Sequence, residues 1–163
     1  FLAVTVIPIG GSIAPESSPA IKPFNRPVLP PHPIPWRYAE ALYLECHTEG
    51  VPMWVAARLF ARESGFLPTA QNINPNGTID QGIAQLNNRY LDFFEGFNNG
   101  QPIDPLDGLT SIRVGVRYLP ALYRATGEWS DAVAAYNCGL GRWLTGNIPR
   151  STQRHVAAII GEL

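Results

Sequence analysis

The uneven distribution of prolines separates this chain into two parts more clearly than any other feature. Nine of the sixteen prolines fall within residues 1–35, a stretch that holds only three charged side chains. Because proline has no amide hydrogen and its ring blocks the preceding helical turn, this stretch cannot form a continuous helix. We expect residues 1–35 to be an extended arm or linker, and we expect the folded domain to occupy residues 36–163.

The opening residues also bear on where the protein works. Residues 1–7 are apolar, and Ser12-Ile13-Ala14 has the small-x-small pattern of an export-signal cleavage site. The segment fits either the tail of an export signal or an arm packed on the domain. The first alternative predicts an exported protein of the periplasm or cell envelope. The sequence has no uninterrupted run of roughly 18 apolar residues, the length from which a membrane-spanning helix is inferred.

A predicted helix that ends near Glu63 presents the first candidate for chemistry. Pro52 suits a first helical position, and Val51, Val55, Leu59 and Glu63 follow one another at helical spacing. A carboxyl on an apolar stripe is desolvated, and desolvation favours the protonated form that a general acid needs. The alternative is a surface glutamate, although the helix dipole disfavours a negative charge at this end.

A turn-rich segment supplies a second carboxyl. Asn76-Gly77 is a tight-turn dipeptide, and Thr78 and Ile79 begin a returning strand that leads to Asp80. A helix end and a returning strand at this spacing are placed to face each other across a cleft. Two carboxyls in unlike surroundings are the groups that glycosidic-bond cleavage requires.

The same segment imitates the start of a calcium loop without its ligands. Asn72, Asn74 and Asn76 stand at the oxygen positions with no carboxylate, and Ile83 stands where the loop needs a glutamate. The three histidines have no metal-ligand spacing. The sequence therefore predicts no metal and no cofactor.

Three short motifs make the pattern specific: Glu63-Ser64-Gly65-Phe66, Gly82-Ile83-Ala84-Gln85 and Ala135-Tyr136-Asn137-Cys138-Gly139. In residues, order and spacing they resemble the motifs of the lysozyme-like (SLT-type) lytic transglycosylases, over roughly Trp36 to Ile160. The block from Glu63 to Asn87 is also similar to the core of animal-type lysozymes. The resemblance implies a mainly α (α+β), lysozyme-like fold, a helical domain with a small β-hairpin after the catalytic helix.

The resemblance also implies an enzyme, a lyase that acts on the glycosidic bonds of peptidoglycan. It would cleave the MurNAc-β-1,4-GlcNAc bond with formation of 1,6-anhydroMurNAc, with Glu63 as general acid and base. The residues implied as substrate-binding are Ser64, Asp80, Gln85, Tyr136 and Asn137. The implied partners are peptidoglycan glycan strands, with an envelope-spanning secretion or flagellar assembly as a further candidate, and the enzyme would act as a monomer.

These residues have specific roles in that scheme, and plain structural alternatives. The Tyr136 hydroxyl would bond the catalytic carboxyl, and the Asn137 amide would grip a sugar N-acetyl group. As alternatives, Tyr136 is a core residue, Asn137 and Ser64 cap helices, and Gln85 bonds the hairpin backbone. Trp143 is a candidate for stacking on a sugar face.

The chain departs from the family pattern at three places. Ala84 replaces a common methionine, and Cys138 stands at the small residue of the Tyr-Asn motif. The closing segment runs Ser-Thr-Gln-Arg-His-Val over residues 151–156, where the family often has Glu-Thr-Arg-x-Tyr-Val. Any substrate contact that the family makes through that glutamate is therefore missing.

Two other functions remain open. One is a lysozyme-type muramidase that hydrolyses the same bond with Glu63 and Asp80 together. The other is a peptidoglycan-binding subunit without activity, although an intact Glu63 argues against it. A net charge of −1 offers no basic surface for nucleic acid.

The rest of the chain reads as helices. The pattern predicts them at 37–48, 86–97, 104–126, 131–137 and 151–160. Pro120 should kink the third of these or split it in two. Cys46 and Cys138 are the only cysteines, and they form either one disulfide, which we favour, or two buried thiols.

Overall fold

The computed structural model describes residues 33–161, so the arm predicted for residues 1–35 lies almost wholly outside the described residues. Within that range the chain forms seven α-helices and one small sheet. The helices are α1 (Trp36–Glu49), α2 (Met53–Ser64), α3 (Leu91–Glu95), α4 (Gly108–Thr126), α5 (Trp129–Cys138), α6 (Leu140–Leu144) and α7 (Arg150–Ile160). The strands are β1 (Gln71–Ile73), β2 (Ile79–Gln81) and β3 (Leu86–Asn87). The predicted mainly α domain with a small sheet after Glu63 is confirmed.

Helix α2 forms as its apolar stripe predicts. Val55, Leu59 and Phe60 are completely buried, and this burial fixes the helix on the core. The helix ends at Ser64 because Gly65 adopts a left-handed conformation with φ 61°. Glu63 is thereby held in the last turn of a helix that cannot rotate without exposing its apolar face.

The sheet is antiparallel, with its strands in the order β1-β2-β3. Asn72 pairs with Asp80 across the first ladder, and the connecting turn contains Gly77 with φ 81°. The second ladder pairs Gln81 with Leu86. The sequence predicts the hairpin but not the third strand.

The helix predicted over 86–97 is wrong at both ends. Residues 86–87 form β3, and 3-10 turns at 88–90 and 96–98 flank the short α3. Leu86 is buried in the sheet with 1% of its surface exposed. The side chain of Asn87 accepts a hydrogen bond from the Arg89 amide at 3.0 Å, which ends the strand and begins the turn.

Helix α4 lies at the centre of the domain and packs against α1, α3 and α5. Its start is capped by Asp107, which accepts from the Thr110 amide at 2.9 Å, so the helix begins at Gly108 and not at residue 104 as predicted. Pro120 does not split it, because Leu119 and Leu122 are buried on either side of the proline and their packing outweighs the lost hydrogen bond. None of the helices in residues 33–161 combines the length and the apolar character needed to cross a membrane.

The favoured disulfide is wrong: Cys46 and Cys138 are both free thiols. Cys46 is buried in the core on α1, whereas Cys138 is at the end of α5. Burial, with a smaller contribution from the negative charge of Glu45, raises the pKa of Cys46 to about 12, so this thiol stays protonated at neutral pH.

Replacing Gly82 with alanine should destabilise the fold far more than replacing Gly77. Both glycines have positive φ, 76° and 81°, so alanine costs about 1 kcal/mol of backbone strain at either site. A Cβ at Gly82 would also overlap the carbonyl oxygen of Pro105, whereas nothing lies within 4 Å of one at Gly77.

We expect urea denaturation to show a loss of about 3 kcal/mol or more in the free energy of unfolding for Gly82→Ala. The loss for Gly77→Ala should be about 1 kcal/mol. Equal losses in the two variants would contradict the close approach of Pro105 to this turn.

Candidate active site

A cleft of about 890 Å³ opens between the sheet, α3 and the end of α5. This volume is in the range of ligand-binding clefts. Its lining brings together five of the six predicted site residues, and these are Glu63, Asp80, Gln85, Tyr136 and Asn137. Ser64 is not part of the lining.

Glu63 projects into the cleft from the last turn of α2. Its side chain keeps 15% of its surface exposed, and Oε1 lies 3.2 Å from Nε2 of His155 on α7. The apolar stripe behind Glu63 and the imidazole beside it leave the carboxyl a single open side, towards the cleft. A carboxyl placed in this way is suited to proton transfer with a bound molecule.

Asp80 lies in the same cleft, on the central strand of the sheet. Its Oδ2 accepts a hydrogen bond from Nδ2 of Asn74 at 2.9 Å, and its Oδ1 accepts from Nδ2 of Asn87 at 2.7 Å. Both amides also donate to the Thr78 hydroxyl. The side-chain amides of Asn74 and Asn87 therefore hold the Asp80 carboxyl in a fixed orientation.

Ser64 bonds the backbone and does not line the cleft, so its role in substrate binding stays a prediction. Its hydroxyl donates to the carbonyl of Ile83 at 2.8 Å, and a weaker contact reaches the carbonyl of Phe60 at 3.3 Å. Ile83 is completely buried, and a buried carbonyl without a partner is costly. Ser64 thus attaches the end of α2 to the turn that follows β2.

Gln85 combines a place in the cleft with a structural hydrogen bond. It adopts a left-handed conformation with φ 51°, and its Nε2 donates to the Gly82 carbonyl at 2.9 Å and to the Ala70 carbonyl at 3.3 Å. The amide nitrogen therefore bonds the backbone, as the structural alternative for Gln85 predicts. The carboxamide oxygen is the atom through which Gln85 can accept from a ligand.

The Tyr136 hydroxyl bonds the backbone, not the carboxyl that the sequence suggested. It donates to the carbonyl of Ala84 at 2.7 Å. Burial, followed by the negative charge of Glu63 and smaller effects of Tyr118 and Asp80, raises the pKa of Tyr136 well above its ordinary value. The hydroxyl therefore remains a donor throughout the neutral and mildly alkaline range.

Asn137 is exposed at the end of α5, where it lines the cleft. Its Oδ1 accepts from the buried hydroxyl of Thr152 on α7 at 2.7 Å. This bond sets the orientation of the amide, so that Nδ2 is the group available to a ligand acceptor.

Several cleft residues have no clear signal in the sequence. Tyr90 and Phe93, each a little over half exposed, form an aromatic wall, and Arg142 supplies a cation at the rim. The spacing of the two aromatics on one helical face is the only hint of their role. Trp143, the predicted stacking residue, donates from Nε1 to Asp131 at 3.2 Å and packs against the small cluster of Leu122, Ala132 and Ala135.

The described residues contain no group of three or more His, Cys, Asp or Glu side chains arranged to hold a metal ion. The chemistry available in the cleft is therefore that of one carboxyl with an open side, a second carboxyl held by amides, and amide and aromatic surfaces.

Known proteins resemble this chain in sequence and in fold. Residues 45–154 match the family model of the transglycosylase SLT domain. Protein IpgF of Shigella flexneri is 27% identical over 89 residues, which make up 55% of this chain and 59% of IpgF. The chain thus spans less than two thirds of this relative.

Two solved structures share the fold. The 70 kDa soluble lytic transglycosylase of Escherichia coli aligns with a TM-score of 0.66 and 25% identity, over 76% of this chain and 23% of that protein. An inactive mutant of the lytic transglycosylase Slt from Pseudomonas aeruginosa aligns with a TM-score of 0.64 over 78% of this chain and 23% of its own, and at 20% identity it shows the fold alone. The lysozyme-like fold expected from the sequence is confirmed.

Replacing Tyr136 with phenylalanine should lower the free energy of unfolding by about 1–2 kcal/mol, because it leaves the buried Ala84 carbonyl without its donor. Tyr118→Phe is the matched control, since no hydrogen bond from the Tyr118 hydroxyl reaches another residue in the described range. Chemical denaturation of both variants measures the difference. A loss no larger for Tyr136→Phe than for Tyr118→Phe would contradict the structural role of this bond.

Proposed function

Because the chain belongs to the transglycosylase SLT domain family, we propose that it is a peptidoglycan lytic transglycosylase. It cleaves the MurNAc-β-1,4-GlcNAc bond and releases 1,6-anhydroMurNAc ends. The observation that carries the proposal is the position of Glu63, a largely buried carboxyl whose open side faces the cleft.

The proposed reaction uses Glu63 twice. Protonated Glu63 donates to the glycosidic oxygen, and the bond to C1 of the muramyl sugar breaks. The muramyl C6 hydroxyl then closes onto C1 while the Glu63 carboxylate takes up its proton. The product is a 1,6-anhydro sugar, no water is consumed, and Glu63 returns to its starting state.

Some neighbouring residues are suited to contact the substrate, and others hold the backbone of the cleft in place. Asn137, with Nδ2 directed by the Thr152 bond, is suited to the carbonyl of a sugar N-acetyl group. Asp80 and the oxygen of Gln85 face the same space as acceptors for sugar hydroxyls or for positive charge at C1. Tyr136 and Ser64 act through the backbone of the turn that they bond.

The substrate and location follow from the same proposal. Glycan strands of peptidoglycan are the partner, and an enzyme that cuts them works in the periplasm or elsewhere in the envelope. Recruitment by a secretion or flagellar assembly, and action as a monomer, remain predictions from the sequence.

A lysozyme-type muramidase is the second candidate, and one observation favours it. Asp80 lines the cleft together with Glu63, and two asparagine amides fix the direction of its carboxyl. Two carboxyls that share a cleft are the equipment of glycoside hydrolysis. The two functions differ in the chemical form of the muramyl end, which is anhydro for the transglycosylase and reducing for the hydrolase.

Glu63→Gln should abolish the release of anhydromuramyl products, with a loss of at least about 100-fold in rate, because an amide cannot exchange the proton. Mass spectrometry of purified peptidoglycan digested by each protein measures the products. Glu40→Gln, an exposed glutamate on α1 that is not part of the cleft lining, is the control and should match the wild type. Binding to peptidoglycan by both proteins without any product would instead leave a wall-binding subunit.

Asp80→Asn separates the two enzymatic candidates. For a transglycosylase we expect the anhydro ends to persist, with cleavage slowed about tenfold by the loss of one charge interaction. For a muramidase, reducing ends would dominate in the wild type and disappear in the variant. Asp92→Asn, on the exposed surface of α3 and outside the cleft lining, is the control, and the same digests serve as the measurement.

A further inference from the structure

The cleft contains a cationic side chain that the reaction proposed above does not use. Within residues 33–161, Arg142 is the only lysine or arginine of the lining, to which Glu63 and Asp80 contribute two carboxyls. Arg142 is exposed on α6, and its side chain forms no hydrogen bond or ion pair with another described residue. The guanidinium is therefore available to a ligand that enters the cleft.

The chain between α5 and α6 fixes the position of Arg142. Gly139, with φ 86°, ends α5 at Cys138 and turns the chain into α6. The backbone amides of Arg142 and Trp143 both donate to the Gly139 carbonyl, at 3.1 and 3.2 Å. The Trp143 indole donates to Asp131 on α5. These bonds attach α6 to the end of α5, so Arg142 lines the cleft from a segment that is held in place.

The positive charge of Arg142 acts on the part of the cleft beside Asn137. Asn137, Cys138 and Gly139 line the cleft together with Arg142. Burial raises the pKa of the Cys138 thiol, and the charge of Arg142 is among the influences that oppose this rise. The α5–α6 side therefore supplies the positive charge of a cleft whose carboxyls lie on α2 and on the sheet.

The two sugars of the proposed substrate differ in one charged group. GlcNAc is neutral, whereas MurNAc has a lactyl arm on O3 that ends in a carboxyl group. This group is either free, and then ionised at neutral pH, or joined to a stem peptide that has carboxylates of its own. The arm is the direct neighbour of the N-acetyl group on C2. A muramyl ring whose N-acetyl group is held by Asn137 therefore carries its arm close to the part of the lining that Asn137 shares with Arg142.

We propose that Arg142 is a specificity-determining residue that binds a carboxylate on the muramyl arm and so distinguishes MurNAc from GlcNAc. This inference rests on the proposed function, for which it names the group that is recognised. A guanidinium presents parallel N–H donors that match the two oxygens of a carboxylate, and such a charged pair is stronger than a bond between neutral groups. The carboxylate belongs either to the free lactyl group or to the stem peptide.

This contact would determine which bond of the strand is cut. GlcNAc and MurNAc alternate along a glycan strand and share the same ring and N-acetyl group, so amide contacts alone hold both sugars equally well. A contact that only MurNAc can make favours one of the two alignments. It places the bond that follows MurNAc at Glu63, and the bond that follows GlcNAc is left uncut.

Isothermal titration calorimetry tests the proposal, with Glu63→Gln as the background so that binding is measured without turnover. Three tetrasaccharides are the probes. The first alternates GlcNAc and MurNAc with free lactyl carboxylates, the second has the same sugars with stem peptides attached, and chitotetraose is the neutral reference. Arg142→Gln is added to the background. The control is Arg124→Gln, which removes the same charge from an exposed position of α4 outside the cleft lining.

We expect Arg142→Gln to raise Kd about fivefold for a muramyl probe and to leave Kd for chitotetraose unchanged, while Arg124→Gln changes neither. An effect confined to the peptide-free probe assigns the carboxylate to the lactyl group, and one confined to the peptide-bearing probe assigns it to the stem peptide. No effect on either muramyl probe, or an equal effect on chitotetraose, would overturn the proposal.

The two proposals can fail separately. Discrimination by Arg142 in the calorimetry, together with a wild type that releases no cleavage products from peptidoglycan, keeps the carboxylate site and rejects the proposed function. Anhydromuramyl products from the wild type, without any discrimination by Arg142, keep the function and reject the site.

Discussion

The architecture of the cleft depends on one buried turn, residues 82–85, whose backbone polar groups are bonded by side chains from three helices. Its two central residues are completely buried, so their carbonyls and amides have no access to water and need partners. The side chains that supply them are Ser64 of α2, Ser111 of α4 and Tyr136 of α5. The turn therefore sets how α2, α4 and α5 meet.

This arrangement gives several motif residues a structural role in the turn. Ser64 and Tyr136 donate to backbone carbonyls, and the amide of Gln85 closes the turn on Gly82. Side chains that the sequence predicts as substrate contacts therefore also fix the turn that lies beside Glu63 and Asp80. The same hydrogen bonds therefore contribute to the stability of the fold and to the shape of the site, because they hold the turn that lies beside the cleft.

The sequence predicts best what depends on local pattern. The apolar period of α2 and its proline and glycine boundaries place Glu63 correctly, and the Asn76-Gly77 turn places Asp80 on the returning strand. Hydrogen-bond partners are different, because Tyr136 donates to an atom 52 residues away, a distance over which periodicity carries no information. The same limit applies to the contact of His155, to the free cysteines, and to β3, whose strand conformation comes from pairing rather than from its own propensity.

The position of α7 has a consequence for the timing of assembly. Glu63 comes from the second helix along the chain, whereas its imidazole neighbour and the hydroxyl that orients Asn137 come from the last described helix. A chain emerging from the ribosome or from an export channel therefore carries Glu63 well before the environment of Glu63 exists. The surroundings of Glu63 and the orientation of Asn137 are therefore complete only when α7 is docked against α2 and α5.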